Sequence, residues 1–149
     1  MAACTFKPTK GQQKHMVKLS LVKTDADLET NGIWVEWELG IRLRIARAGN
    51  RAFDTKFQAL QEPYLNGVRA NTLPAAVAEE LLKEAVAETI LLEWGNLEGD
   101  DGEPLPYSAQ QALEFFNDEA LRDLYKFVLV TSQTHSHYRV KLDDDAAKN

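Results

Sequence analysis

Residues 91–113, LLEWGNLEGDDGEPLPYSAQQAL, hold the densest set of groups that could do chemistry. Five acidic side chains stand there among three glycines and two prolines. Oxygen ligands next to glycine are what a calcium loop requires, because a hard cation takes about six to eight oxygens and glycine permits the sharp turn between them. An EF-hand places glycine sixth and a bidentate glutamate twelfth. With Gly102 sixth, the first position is Leu97 and the twelfth is Ser108, and neither is a carboxylate. The motif is excluded. Asp100 and Asp101 keep weak cation binding as an alternative, but they read first as an acidic loop cap that solubilises a connection.

The remaining reactive groups are sparse. His135 and His137 are two residues apart, so on a helix they diverge by about 200 degrees and only on a strand do they share a face. Cys4 is the single cysteine, which rules out an intrachain disulfide and leaves a thiolate zinc site without partners in the chain. It lies in a polar segment with no fixed base nearby, so it reads as an incidental thiol. The chain carries no Walker pattern, phosphate loop or dinucleotide fingerprint. No enzyme is indicated, and no cofactor or metal is expected.

The elements that position these groups follow from periodicity. The 149 residues, 44% hydrophobic and 27% charged, suit one soluble domain that buries about two-thirds of its unfolded surface. Residues 1–15 read as a flexible arm, 16–138 as one α+β domain and 139–149 as a charged tail. Val17, Leu19 and Leu21 alternate with polar residues, which predicts a short strand. KTDADLETNG reads as a loop. The run GIWVEWELGIRLRIA alternates again, with Gly40 either a hairpin corner or a bulge, the hairpin being preferred. Trp34 and Trp37 then fall on opposite faces, one of them in the core and the other covered or exposed as an anchor.

Helices follow. Asn50 caps one through Phe53, Phe57 and Leu60, which ends at Glu62-Pro63. A long amphipathic helix is predicted over 75–94, with Leu82, Val86, Ile90 and Trp94 in one apolar row and Gly95 as its C-terminal cap. Ser108 with Gln111 forms a capping box that opens another helix carrying Phe116 inward. Asp118 or Asn117 recaps a last helix through Leu124, Tyr125 and Val128 to about residue 134. The expected architecture is a small N-terminal antiparallel sheet of two or three strands against about four helices.

Charge and apolar runs limit the partners. With 17 basic and 23 acidic side chains the formal charge is −6, which disfavours nucleic acid. Arg42, Arg44, Arg47, Arg51 and Lys56 form the one local basic cluster, read as a solvated strand face. No signal-peptide core or bilayer-length apolar run is present, so a membrane partner is not expected.

Several short stretches resemble a known family. Gly32-Ile-Trp-Val35, Arg44-Ile-Ala-Arg47 followed by Asn50, Ile90-Leu-Leu-Glu-Trp94 and Gly102-Glu-Pro-Leu-Pro-Tyr-Ser108, ahead of a Phe-ending helix pair, resemble the tail assembly chaperones of long-tailed bacteriophages over roughly residues 30–135. The resemblance implies a non-enzymatic protein of the infected cell's cytoplasm, absent from the mature virion. It would bind the tape measure protein, keep it soluble and promote tail tube assembly, with the tail tube protein as a second partner and a homo-oligomer left open. The groove expected for that partner is the 75–94 helix and the C-terminal helix pair, through Leu82, Val86, Ile90, Trp94, Phe116 and Tyr125, with Trp34 or Trp37 as an anchor. The alternatives are another tail or head–tail structural subunit, or a small phage protein that binds a host factor.

Overall fold

The computed structural model describes residues 16–140; the expected arm and most of the expected tail, with Cys4, lie outside them. In chain order the elements are α1 (Ala26–Asn31), β1 (Ile33–Glu36), β2 (Arg42–Ile45), α2 (Arg51–Gln61), α3 (Leu65–Arg69), α4 (Ala75–Thr89), β3 (Leu91–Gly95), α5 (Ala109–Asn117) and α6 (Arg122–Gln133), with short 3₁₀ turns between them. The class is α+β, with a three-stranded antiparallel sheet in the order β1-β2-β3.

β1 and β2 form the expected hairpin. Leu39 and Gly40 both take positive φ, at 57° and 86°, the pattern of a type I′ turn, whose twist matches that of the flanking strands. Leucine is an unusual occupant of such a position, because its side chain crowds the backbone at positive φ. The sheet's third strand comes from the middle of the chain, after α2, α3 and α4.

β3 corrects the predicted 75–94 helix. The helix stops at Thr89, Ile90 forms its C-terminal cap, and Leu91–Gly95 pairs with β2 instead. Arg44 opposes Glu93 while Ile45 opposes Leu91, so Leu92 is an extra residue in the ladder, a β-bulge. The bulge shifts the alternation by one residue, and Leu91 and Trp94 therefore both point into the core although they are three apart. Gly95 is consequently the end of a strand rather than a helix cap, and it lies beneath the Trp34 indole.

Two N-terminal expectations change as well. Val17–Leu21 is no strand: residues 19–21 make a single 3₁₀ turn, and Val17 and Leu19 are exposed. Alternation alone does not hold a strand that finds no neighbour among the described residues to complete its hydrogen bonds. The KTDADLETNG loop contains α1, because the Asp25 carboxylate accepts from the Asp27 N–H at 2.9 Å and Gly32, at φ 81°, ends it. A side chain at Gly32 would also meet the Ile45 backbone at 3.0 Å.

The other caps form as expected. Asn50 Oδ1 accepts from Phe53 N at 2.8 Å, Ser108 Oγ from Gln111 N at 3.0 Å, and Asp118 Oδ1 from Ala120 N at 2.9 Å. The core lies between the inner sheet face and α4, α5 and α6, through Leu43, Ile45, Val86, Leu91, Phe116 and Val128 among others. Tyr138 is completely buried and donates its hydroxyl hydrogen to the Ile45 carbonyl at 3.0 Å. Residues 138–140 also pair with 23–25, through Asp25 N to Tyr138 O at 2.7 Å and Val140 N to Lys23 O at 3.0 Å, which ties both ends of the described chain to one place.

Candidate functional site

Among the described residues, an apolar cleft of roughly 300 Å³ opens at the hairpin end of the sheet. Its floor is the buried trio Leu43, Trp94 and Leu124. Trp37 and Ile41 of the hairpin form one wall, Leu97 and Leu105 of the acidic loop a second, and Phe115 with Leu121 a third. These six wall residues are all half-buried, so apolar surface that the fold could have covered stays open to solvent. The hollow is therefore a candidate contact site whose walls also pack against the core.

The acidic loop is ordered by its own backbone. Gly99 N donates to Glu103 O at 2.9 Å, and Leu105 N to Leu97 O at 2.9 Å. The Asp101 carboxylate accepts from Glu103 N at 3.1 Å. Leu105 carbonyl in turn accepts from the Trp94 indole N–H at 2.8 Å, which fixes the ring at the floor. Tyr107 meets that indole edge-on at 4.9 Å and Phe115 lies 5.3 Å from it. The Tyr107 hydroxyl sits between the carbonyl oxygens of Ala87 and Leu91 and donates there, closing the junction of α4 with β3. Burial pushes its pKa up. Thus the run Gly102-Glu-Pro-Leu-Pro-Tyr-Ser108 is a clamp: Leu105 holds Trp94, Tyr107 holds the helix-to-strand switch, and Ser108 starts α5.

The charge in the cleft lining is acidic: among the described residues the charged side chains there are Glu98 and Asp100. The loop, 97–105, also carries Asp101 and Glu103, while Glu36 lies on the outer sheet face with Trp34 and Asp118 and Glu119 line a separate hollow with Lys83 and Arg122. The loop holds no lysine or arginine, and none of its carboxylates forms a salt bridge among the described residues.

The structure divides the residues that the sequence singled out. Trp37 and Trp94 meet in the cleft. Val86 and Ile90 are each 1% exposed and Phe116 is buried, so they hold the core together and present no surface; Leu82 packs partly buried against the same core. The expected groove between the long helix and the C-terminal pair is therefore filled by packing, because the apolar stripe of α4 is covered by the sheet and α5. Tyr125 lies elsewhere, beside Phe116 at 5.0 Å and under the Lys83 ammonium. Trp34 is 42% exposed on the outer sheet face, with the Arg42 guanidinium 5.2 Å from its ring.

Leu97, Leu105, Phe115 and Leu121 were not among those residues. Their signal was present only as apolar positions inside a loop and at a helix junction, where no periodicity marks them.

Three of the five side chains of the basic cluster form ion pairs. Arg44 bridges to Glu93 at 3.5 Å, Arg47 to Glu29 at 2.9 Å and Lys56 to Glu88 at 2.9 Å. His135 Nε2 lies 3.4 Å from Arg139 Nε on an exposed 3₁₀ turn that also carries His137. Among the described residues no group of three or more His, Cys, Asp and Glu side chains gathers at a spacing that could hold a metal ion. No described helix is long and apolar enough to cross a membrane.

Fold and site together define a small α+β protein whose built surface feature is an acid-rimmed apolar cleft. Over residues 48–149 the chain matches the family described as the YdaY prophage protein. It belongs to that family and is a phage-derived protein. The match covers the clamp, α5 and α6, and begins after the hairpin that supplies Trp37 and Ile41. No curated protein and no solved structure matches the chain.

Proposed function

We propose that this phage protein is a non-enzymatic tail assembly chaperone that binds the tape measure protein in the host cytoplasm, keeps it soluble and promotes tail tube assembly. The observation that carries the reading is the cleft, an apolar hollow kept open by an ordered clamp in a prophage protein. A tape measure protein exposes long apolar helical faces before the tube covers them, and a surface that receives apolar helix residues suits such a client.

Magnitudes favour a long client over a single-site partner. At roughly 300 Å³ the cleft is at the small end of ligand pockets. It admits anchor side chains, whereas a whole helix is about 10 Å across. Burying one large apolar side chain contributes about 1.5–3 kcal/mol, well short of the roughly 8 kcal/mol of a micromolar complex. Useful affinity then comes from several chaperones on one repetitive chain, or from contacts beyond the cleft such as the exposed Leu39.

Co-expression with the tape measure protein of the same prophage tests the reading. A soluble tape measure protein that co-purifies with this chain is the expected result; an insoluble one with no co-purification removes it. Mass spectrometry of purified particles separates the alternative structural role, since a chaperone is absent from virions and a tail or head–tail subunit is present.

A further inference from the structure

The charge distribution around the cleft specifies the client further than apolarity does. The chain has 23 acidic and 17 basic side chains. The loop that forms one wall, residues 97–105, holds four of the acidic ones and none of the basic ones. Among the described residues the charged side chains in the cleft lining are both acidic. Glu98 and Asp100 stand in its lining, exposed, beside the half-buried Leu97.

We infer that the cleft selects an amphipathic helix whose large apolar anchor is flanked, one turn before or after, by lysine or arginine. This rests on the cleft being the docking site of the proposed chaperone. Residues three or four apart share a helix face, so an anchor seated over Leu43, Trp94 and Leu124 carries its i±4 neighbours to the rim, where Glu98 and Asp100 meet them. An acidic flank at the same position is repelled, which gives the site discrimination by unfavourable contact as well as by attraction. A second copy of this chain is a poor occupant, because its own cleft face is acidic too.

The test uses the full chain and three synthetic helical peptides of equal length. One has a phenylalanine anchor flanked by lysines, one the same anchor flanked by glutamates, and one the lysines with the anchor replaced by alanine. Binding is followed through tryptophan fluorescence, with Trp37 and Trp94 in the site. At low salt the lysine-flanked peptide binds roughly tenfold tighter than the glutamate-flanked one, and the difference shrinks at high salt as the charges are screened. The anchor-free peptide binds weakly, and the E98Q/D100N double variant loses most of the preference.

Equal affinity for the two flanks, an unchanged preference in the double variant, or full binding without the anchor overturns the inference. So does a dimer in sedimentation that Leu97→Arg dissolves, which assigns the cleft to a second copy. Co-purification of the tape measure protein that is indifferent to E98Q/D100N overturns the charge rule and leaves the chaperone reading standing. Selective peptide binding without any co-purification does the reverse.

Discussion

Buried tyrosines carry much of the residue-level logic. Tyr138 and Tyr107 donate to backbone carbonyls at the chain's closure and at the α4–β3 junction, and the buried hydroxyl of Tyr125 has no hydrogen-bond partner among the described residues. Burial pushes all three pKa values up, that of Tyr125 from 10.0 to about 12, with Glu79 adding to the effect. The neutral hydroxyl is therefore the form the fold favours. Above pH 10 the unfolded chain loses these protons first, so the folded state binds more protons and stability falls with rising pH. The contribution is fully present below 10 and is lost as pH rises through 12. Urea midpoints should hold steady up to about pH 10 and decline above it; midpoints that stay level to pH 12 would contradict the burial of these groups.

Little of this was legible in the sequence. Tyr138 stands in HSHYRV, where no apolar period announces burial, and its partner Ile45 is 93 residues away. Trp94 was legible as a buried aromatic but not as the floor of a cleft, because that depends on where Leu105 folds back.

At the scale of elements, local chemistry was readable and pairing was not. Asn50, Ser108 and Asp118 signal helix starts because a side-chain oxygen two or three residues ahead of a free N–H is sufficient. Ser108→Ala should cost about 1 kcal/mol, read as a lowered urea midpoint; an unchanged midpoint would show that α5 does not depend on its cap. β3 was missed for a physical reason. The bulge at Leu92 turns both Leu91 and Trp94 inward, and the resulting three-residue spacing imitates a helix. Only the free edge of β2 decides the matter in favour of a strand. α1 was missed because six residues with one strong apolar position give no period.

The hairpin turn yields a second prediction at this scale. Leu39 is fully exposed and sits at φ 57°, so it loses no packing when replaced, and asparagine tolerates this conformation better. Leu39→Asn should raise stability by up to about 1 kcal/mol while weakening capture of the client at the adjoining cleft. A lower melting temperature, or undiminished capture, would remove the idea that strain is retained there for contact.

For the whole molecule, the single α+β class followed from composition and from alternation giving way to helical periods. The location of the site did not. An apolar row on α4 read as a groove, but a row that regular is what a core requires, and the fold uses it there. The open apolar surface instead comes from three irregular segments far apart in sequence, and only the acidic loop among them brings charge into the lining. The prophage family agrees with the phage setting that the short motifs suggested, and the chaperone role rests on what the cleft binds.

That role is tested most directly by capture of the tape measure protein on the intact chain and on Leu97→Arg, each shown by thermal melting to be folded. Leu97 is half-buried in the cleft wall and packs against the core, so a long cation there blocks the hollow and the melting control shows that the fold survives it. Docking in the cleft predicts a soluble tape measure protein bound to the intact chain and lost from the variant. An insoluble tape measure protein beside the intact chain, or equal capture by both, would contradict it.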